Sequence, residues 1–220
     1  MSELELVPVR TRILTDKDNI VDILAQYVKD KIGPNDVITV AESVVAITQG
    51  RLTRPEDLDP CFLAKVLCRF IPQEGSMSSV AGMQAVMDME GKYRVLFAMI
   101  AGIFGKLLGK SGVFYNMAGR QAALIDDVTG TMPPFDKCLV YGPANASEVA
   151  QSIKERLGCY GAAVADVNDL KRSLIVGTSD GLAAPELAKI LINNPFGNAS
   201  QQTPIVIIKN YAAAAAHAQA

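Results

Sequence analysis

The stretch Lys137–Gly181, KCLVYGPANASEVAQSIKERLGCYGAAVADVNDLKRSLIVGTSDG, decides the fold. Its apolar run from Cys138 to Tyr141 stops at Gly142-Pro143, a pair that continues neither helix nor strand. Asn145 stands where a helix N-cap belongs, and Glu148 follows at the spacing of a capping box. Val149, Ile153 and Leu157 recur every four residues, so one face is apolar while Lys154, Glu155 and Arg156 occupy the other. Gly158 ends that helix. Ala162 to Ala165 is a second apolar run, delivering Asp166, Asn168 and Asp169 at its C-terminal end. The stretch predicts strand, turn, helix, strand and an acidic turn, with polar groups at the strand end where α/β chains tend to place chemistry.

Upstream, Leu4 to Leu14 begins as a strand, and Thr15 to Asp18 supplies a turn and a helix cap. Ile20, Ile23, Leu24, Tyr27 and Val28 form a helical stripe that ends near Gly33-Pro34. The β-branched run Val37 to Ile47 predicts the next strand. A helix is expected over Cys61 to Phe70, and Met77, Met83, Met87 and Met89 read as core packing. Downstream come a strand at Ser173 to Gly177, a helix from Pro185 and a strand at Pro204 to Lys209. The alanine-rich tail 211–220 has no face to bury and is expected to be helical or disordered. Strands and helices mix without strict alternation, which predicts an α+β or irregular α/β fold.

With 220 residues, half of them hydrophobic, the chain is long enough to bury a core. A net charge of -2 and the absence of Trp give no electrostatic or stacking basis for nucleic-acid or anionic-membrane binding. Cys61, Cys68, Cys138 and Cys159 form no metal-ligand spacing and read as core residues of a reducing, cytoplasmic protein. The N-terminal MSELELVPVR lacks the apolar run of a signal peptide. Val95 to Leu108, broken by Gly102, Gly105 and Lys106, falls short of the roughly 20 residues that span a bilayer and is expected to be a buried core helix.

Gly105-Lys106-Leu107-Leu108-Gly109-Lys110-Ser111 has the ending of a phosphate-binding loop, but Phe104 occupies the position of its first glycine and the preceding segment reads as helix. Lys106 and Lys110 are left as cations for a phosphate or for a nearby carboxylate. The only histidine, His217, lies in the tail, so neither a Ser-His nor a Cys-His mechanism has its base. Carboxylate and lysine chemistry remain. Asp126, Asp127, Asp166 and Asp169 close apolar runs and offer hard oxygen ligands for Mg²⁺ or Mn²⁺ carrying a nucleotide phosphate. The same aspartates also fit plain turn capping.

Three stretches resemble the coenzyme F-420 gamma-glutamyl ligase family. Val7-Pro8-Val9, the helix after Asp18, and Asn35 to Val40 with Gln49-Gly50-Arg51 are similar to the family's opening strand, helix and "DGDVLVVTxKIVSKAEGR" run. Gly112 to Gly119, GVFYNMAG, is similar to its "GFVxANAG" segment. LVYGPANASEVAQSIKERLG and AAVADVNDLKR are similar to "LLPxDPDxSAxxIRxxL" and to the strand ending "SDTxGR". The departures are specific: the two lysines of the first run fall on Ser43 and Ile47, its glutamate on Gln49, and the "VDxSN" that leads on from the second is Arg120-Gln121-Ala122-Ala123.

The resemblance implies a gamma-glutamyl ligase-like fold of mixed sheets and packed helices over residues 1–210, as one unit or as two subdomains, about 1–60 with 131–210 and about 61–130. It implies a GTP-dependent reaction with Mg²⁺ or Mn²⁺ that joins an amine to a small carboxylate. Metal would be held by Asp126 or Asp127 with Asp166 or Asp169, and phosphate oxygens by Lys106, Lys110, Arg120 or Arg172. A homodimer with strands meeting at the interface is the implied assembly. The alternative is a non-catalytic nucleotide- or small-molecule-binding protein, without these cofactors in a reaction, that keeps the fold.

Overall fold

A computed structural model describes residues 4–72, 75–126, 128 and 131–218. In chain order the first elements are β1 (Glu5–Val9), α1 (Ile20–Val28), β2 (Val37–Ala41), α2 (Glu42–Thr48) and β3 (Leu52–Thr53). Helices α3 (Phe62–Leu67), α4 (Val80–Glu90), α5 (Lys92–Leu107), α6 (Val113–Ala118) and α7 (Arg120–Leu124) follow. The remainder is β4 (Leu139–Val140), α8 (Ala146–Leu157), β5 (Gly161–Asn168), β6 (Arg172–Thr178), α9 (Ala184–Ile190), β7 (Ile205–Lys209) and α10 (Tyr211–Ala218). The fold is α+β. The chain divides into two compact units, one formed by the chain up to Gly50 and from Pro143 onward, the other by Arg51–Gly142.

The first unit is built on a five-stranded sheet in the order β1-β7-β2-β5-β6. β2 and β5 are parallel, Val37–Ala41 lying against Gly161–Ala165, and every other pairing is antiparallel. Helices cover both faces, which is why β2, β5 and β7 read as continuous apolar runs rather than alternating ones. Val37, Ala163, Ala165, Val206 and Ile208 pack against Leu187 and Leu191 of the α9 side and Tyr211 of α10. On the alternate positions, Ile38, Val164 and Ile207 are buried on the other face, where α8 packs against β5 and β6 and α1 packs against α8. Gly177 marks the closest approach: a Cβ there would stand 2.5 Å from the backbone of Ala146 and Ser147 at the start of α8.

The second unit joins the two-stranded sheet β3-β4 to α3–α7. Its core gathers Leu67, Met77, Met83, Met87, Val95, Met99, Phe114 and Leu139. Three of the four methionines are core residues as expected, while Met89 is exposed. Gly102 and Gly105 of α5 lie against α6, where added Cβ atoms would meet Phe114 Cβ at 2.8 Å and Val113 Cγ2 at 2.6 Å. The inner face of α5 is therefore as tightly packed as a helix pair allows.

Five expectations are corrected. The strand Val37 to Ile47 ends at Ala41, and its second half is α2. The buried residues Glu42, Val45 and Ala46 follow the i, i+3, i+4 spacing of a helix, and this burial overrides the strand propensity of the two valines. The capping box at Asn145 does not form, because Asn145 adopts a left-handed backbone (φ 48°, ψ 43°) and its side chain makes no capping bond. Lys137–Gly181 is not one unit: β4 pairs with β3, whereas β5 pairs with β2 and β6. The segment Val95 to Leu108 is buried on one face only, with Phe97, Ile100, Phe104 and Leu107 exposed. The tail does have a face to bury: Tyr211 is buried, and Ala215 packs against the first unit's core.

Candidate functional site

In the first unit the expected acidic turn is the β5–β6 hairpin. β2 and β5 run parallel up to Ala41 and Ala165, and there β2 leaves the sheet to become α2. Asp166 is the next residue of β5, so it lies at the C-terminal ends of two parallel strands, one alternation away from the core-facing Ala165. Its carboxylate is half-buried, and burial pushes its pKa above the ordinary carboxylate value. Among the described residues no donor or cation is paired with it.

The rest of the hairpin is occupied with its own structure. Asn168 Oδ1 accepts hydrogen bonds from the backbone N–H groups of Leu170 (3.0 Å) and Arg172 (3.3 Å), which closes the turn. Lys171 there adopts a left-handed backbone, φ 56°. Asp169 is exposed, and its Oδ1 accepts a 2.6 Å bond from Asn194 Nδ2. Arg172 is exposed at the first position of β6. Of the two aspartates expected here, Asp166 has an open carboxylate and Asp169 supports a loop.

In the second unit, Lys106 lies in the last turn of α5 and Lys110 follows the helix, both exposed. Arg120 opens α7 and is exposed. Asp126 is half-buried and exchanges two backbone hydrogen bonds with Val140, at 2.8 and 3.0 Å. Asp127 lies outside the described residues. The turn between α6 and α7 centres on Gly119, whose φ of 111° excludes most side chains. A Cβ there would fall 2.1 Å from Glu90 Oε2. Glu90 fills that space and locks the turn: Oε1 accepts the Gln121 N–H at 2.8 Å, and Oε2 accepts from Arg94 at 2.8 Å. Arg94 in turn donates to the Met117 carbonyl at 3.0 Å.

Sequence reasoning treated Gln121 and Gln49 as departures from an acidic pattern and missed what they do. Gln121 Oε1 accepts the Gly142 N–H at 2.9 Å, and its Nε2 donates to the Gly142 carbonyl at 3.4 Å. Arg51 Nε donates to that same carbonyl at 2.6 Å. In the first unit Gln49 does the same to Ala144, with Oε1 accepting its N–H at 2.8 Å and Nε2 donating to its carbonyl at 3.0 Å. Each amide satisfies a backbone donor and acceptor together, which a carboxylate has no hydrogen to do. The signal was present in the sequence as an amide in place of an acid.

Among the described residues no three His, Cys, Asp or Glu side chains gather into a metal-binding group. Asp166 offers hard oxygen of the kind Mg²⁺ or Mn²⁺ prefers, but the neighbouring Asn168 and Asp169 are engaged by the turn and by Asn194. The described hairpin supplies one ligand, and a complete ion site does not follow from it. Burial also pushes the Cys159 thiol up, which suits a packed side chain rather than a nucleophile.

The profile of the F420-0:gamma-glutamyl ligase family matches residues 8–167, well over half the chain. No curated protein matches the sequence. No helix among the described residues is long and apolar enough to cross a membrane.

Proposed function

The chain belongs to the F420-0:gamma-glutamyl ligase family, and from that membership we propose an amide-bond-forming ligase that acts on a small-molecule carboxylate. The observation that carries this reading is Asp166, a half-buried carboxylate without a partner among the described residues, at the C-terminal ends of two parallel strands. Such a group is held rigidly, reaches solvent and has a perturbed proton affinity, the combination expected of a working carboxylate. Amide formation from a carboxylate requires activation, here proposed as transfer of a phosphoryl group from GTP in the presence of Mg²⁺ or Mn²⁺. The attacking amine then displaces phosphate and loses a proton. A carboxylate whose proton affinity is raised by burial is suited to receive that proton. Arg172, in the same hairpin, is the cation proposed for phosphate oxygens.

The second reading, a nucleotide- or small-molecule-binding protein without catalysis, is favoured by a different observation. Ser43 and the buried Ile47 replace lysines, and the amide of Gln121 is engaged by Gly142. Calorimetric titration of the wild type and of Asp166→Asn with GTP, ATP and Mn²⁺, followed by phosphate-release assays with amino acids and small carboxylate acceptors, separates the two. The ligase reading expects binding, phosphate release that depends on both amine and acceptor, and loss of release in Asp166→Asn. Binding without release establishes the second reading. Absence of binding to any of these ligands defeats the ligase reading.

A further inference from the structure

On the β5–β6 hairpin the residue directly across from Asp166 is Leu174. Val167 and Ile175 pack into the core on the α9 side of the sheet, so Asp166, Leu174 and the next pair toward the turn, Asn168 and Arg172, belong to the opposite face. Within the first unit α8 covers that face only in part. Its first residues lie against Gly177, and from there it runs away from the turn, with Gln151 and Lys154 bonded to the Asp180 backbone. The pairs Asp166–Leu174 and Asn168–Arg172 are left beyond the start of the helix. Leu174 is 48% exposed there. An exposed leucine is ordinary on a protein surface, and it is the place of this one that carries information. Opposite side chains on one face have Cβ atoms roughly 5 Å apart, so an apolar side chain borders a carboxylate that has no partner among the described residues.

We propose that Leu174 selects the amine: the ligand whose nitrogen meets Asp166 carries an apolar side chain and not an acidic one. The amine's part in a reaction rests on the ligase reading above, but the contact itself needs no turnover. The two cations of the hairpin, Lys171 and Arg172, lie on the turn side of Leu174. Arg172 is the diagonal neighbour of Asp166, at roughly 7–8 Å. That puts the positive charge where a phosphorylated carboxylate would sit and leaves the position beside the nitrogen apolar. An acidic side chain on the amine would give up water against Leu174 without gaining a cation, and would stand beside the like charge of Asp166. An apolar side chain in the same place removes its own surface and that of Leu174 from water.

Ligand-observed NMR titration of the full chain with leucine, aspartate and glutamate, in the absence of nucleotide, tests the contact. Leucine and aspartate have nearly the same shape, so a difference between them reports charge and not size. Leucine is expected to bind about tenfold more tightly than either acid. Leu174→Gln is expected to erase that preference while keeping the wild-type circular dichroism and unfolding midpoint, because the side chain it replaces is already half exposed. Asp166→Asn is expected to weaken leucine binding. Equal binding of leucine and the two acids by the wild type overturns the proposal. A Leu174→Gln protein that still prefers leucine overturns it too, as does absence of binding by all three. Phosphate release, measured separately with GTP, Mg²⁺, a carboxylate acceptor and the same amino acids, tells this failure from failure of the ligase reading. Leucine binding without release leaves the contact standing and defeats the ligase, whereas release driven by glutamate over leucine keeps the ligase and overturns the contact.

Discussion

Two aspartates of the five-stranded sheet stand in opposite circumstances. Asp36 immediately precedes β2 and is buried, where β2 begins and β7 ends. Burial alone would raise its pKa, but its carboxylate accepts from Lys209 Nζ at 2.7 Å and from the N–H groups of Asn210 at 3.0 Å and Gly33 at 2.8 Å. Together these outweigh desolvation and hold it below the ordinary value. Asp166 follows the last residue paired between β2 and β5, and there desolvation acts alone and pushes the pKa up. One end of the parallel pair uses its carboxylate to tie the sheet together, and the other leaves its carboxylate for something outside the fold. Residue type and depth do not separate a structural acid from a working one. The inventory of partners does.

The largest expected effect breaks the tied end. Asp36→Ala leaves Lys209 without its carboxylate in a partly buried pair and the Gly33 and Asn210 N–H groups without their acceptor, and loss of about 3 kcal/mol is expected in denaturant unfolding. A loss below about 1 kcal/mol would show that Asp36 is no more structural than Asp166. The pH dependence is set by sign. Because folding lowers the Asp36 pKa, its contribution is fully present above the unfolded value of about 4 and is lost as pH falls through the folded value. The difference in stability between wild type and Asp36→Asn is thus expected to shrink with acidification below pH ~4.

The next effect extends the comparison to the second unit, where Glu90 is tied in the manner of Asp36. Gly119→Ala combines a strained φ with a Cβ 2.1 Å from the Glu90 carboxylate, and about 2–3 kcal/mol of destabilisation is expected. Gln121→Asp is expected to cost less, about 1–2 kcal/mol, as the side chain loses its donor to Gly142 and sets a charge beside that carbonyl. An unchanged unfolding midpoint in Gln121→Asp would mean that the amide's pairing with Gly142 contributes nothing.

Much of this was legible in the sequence. Runs such as Ala162 to Ala165 and Ile205 to Lys209 announce β5 and β7 because a strand covered on both faces has no polar alternation to hide it. The stripe Ile20, Ile23, Leu24 and Val28 announces α1 because helical burial repeats at that interval. Asp166 was picked out by its place at the end of an apolar run. What escaped depends on partners distant in sequence. Nothing local in Val44-Val45 shows that the sheet ends at Ala41, and nothing in Asn145 shows a left-handed backbone. The engagement of Asp169 is decided by Asn194, and that of Gln121 by Gly142, across 25 and 21 residues of chain. The outward face of α5 is apolar like its inward one, which hid its exposure from a reading of the sequence.

The smallest effect bears most directly on Asp166, and it runs the other way. If this carboxylate is kept for a ligand and not for the fold, replacing it with a neutral isostere removes an unfavourable burial and stabilises the protein. Asp166→Asn is expected to gain about 0.5–1 kcal/mol at pH 7. The sign follows from linkage: folding raises the Asp166 pKa, so its contribution is most favourable below the unfolded value and is lost as pH rises through the folded value. The gain from Asp166→Asn is therefore expected to vanish in acid and grow toward neutrality, opposite to the loss at Asp36. Unfolding curves of the two asparagine variants between pH 3 and 7 read both slopes in one series. Parallel slopes would place the two aspartates in the same role and remove the reason for singling out Asp166. Opposed slopes, with phosphate release lost only in Asp166→Asn, would separate the acid that holds the sheet from the acid the sheet holds in place.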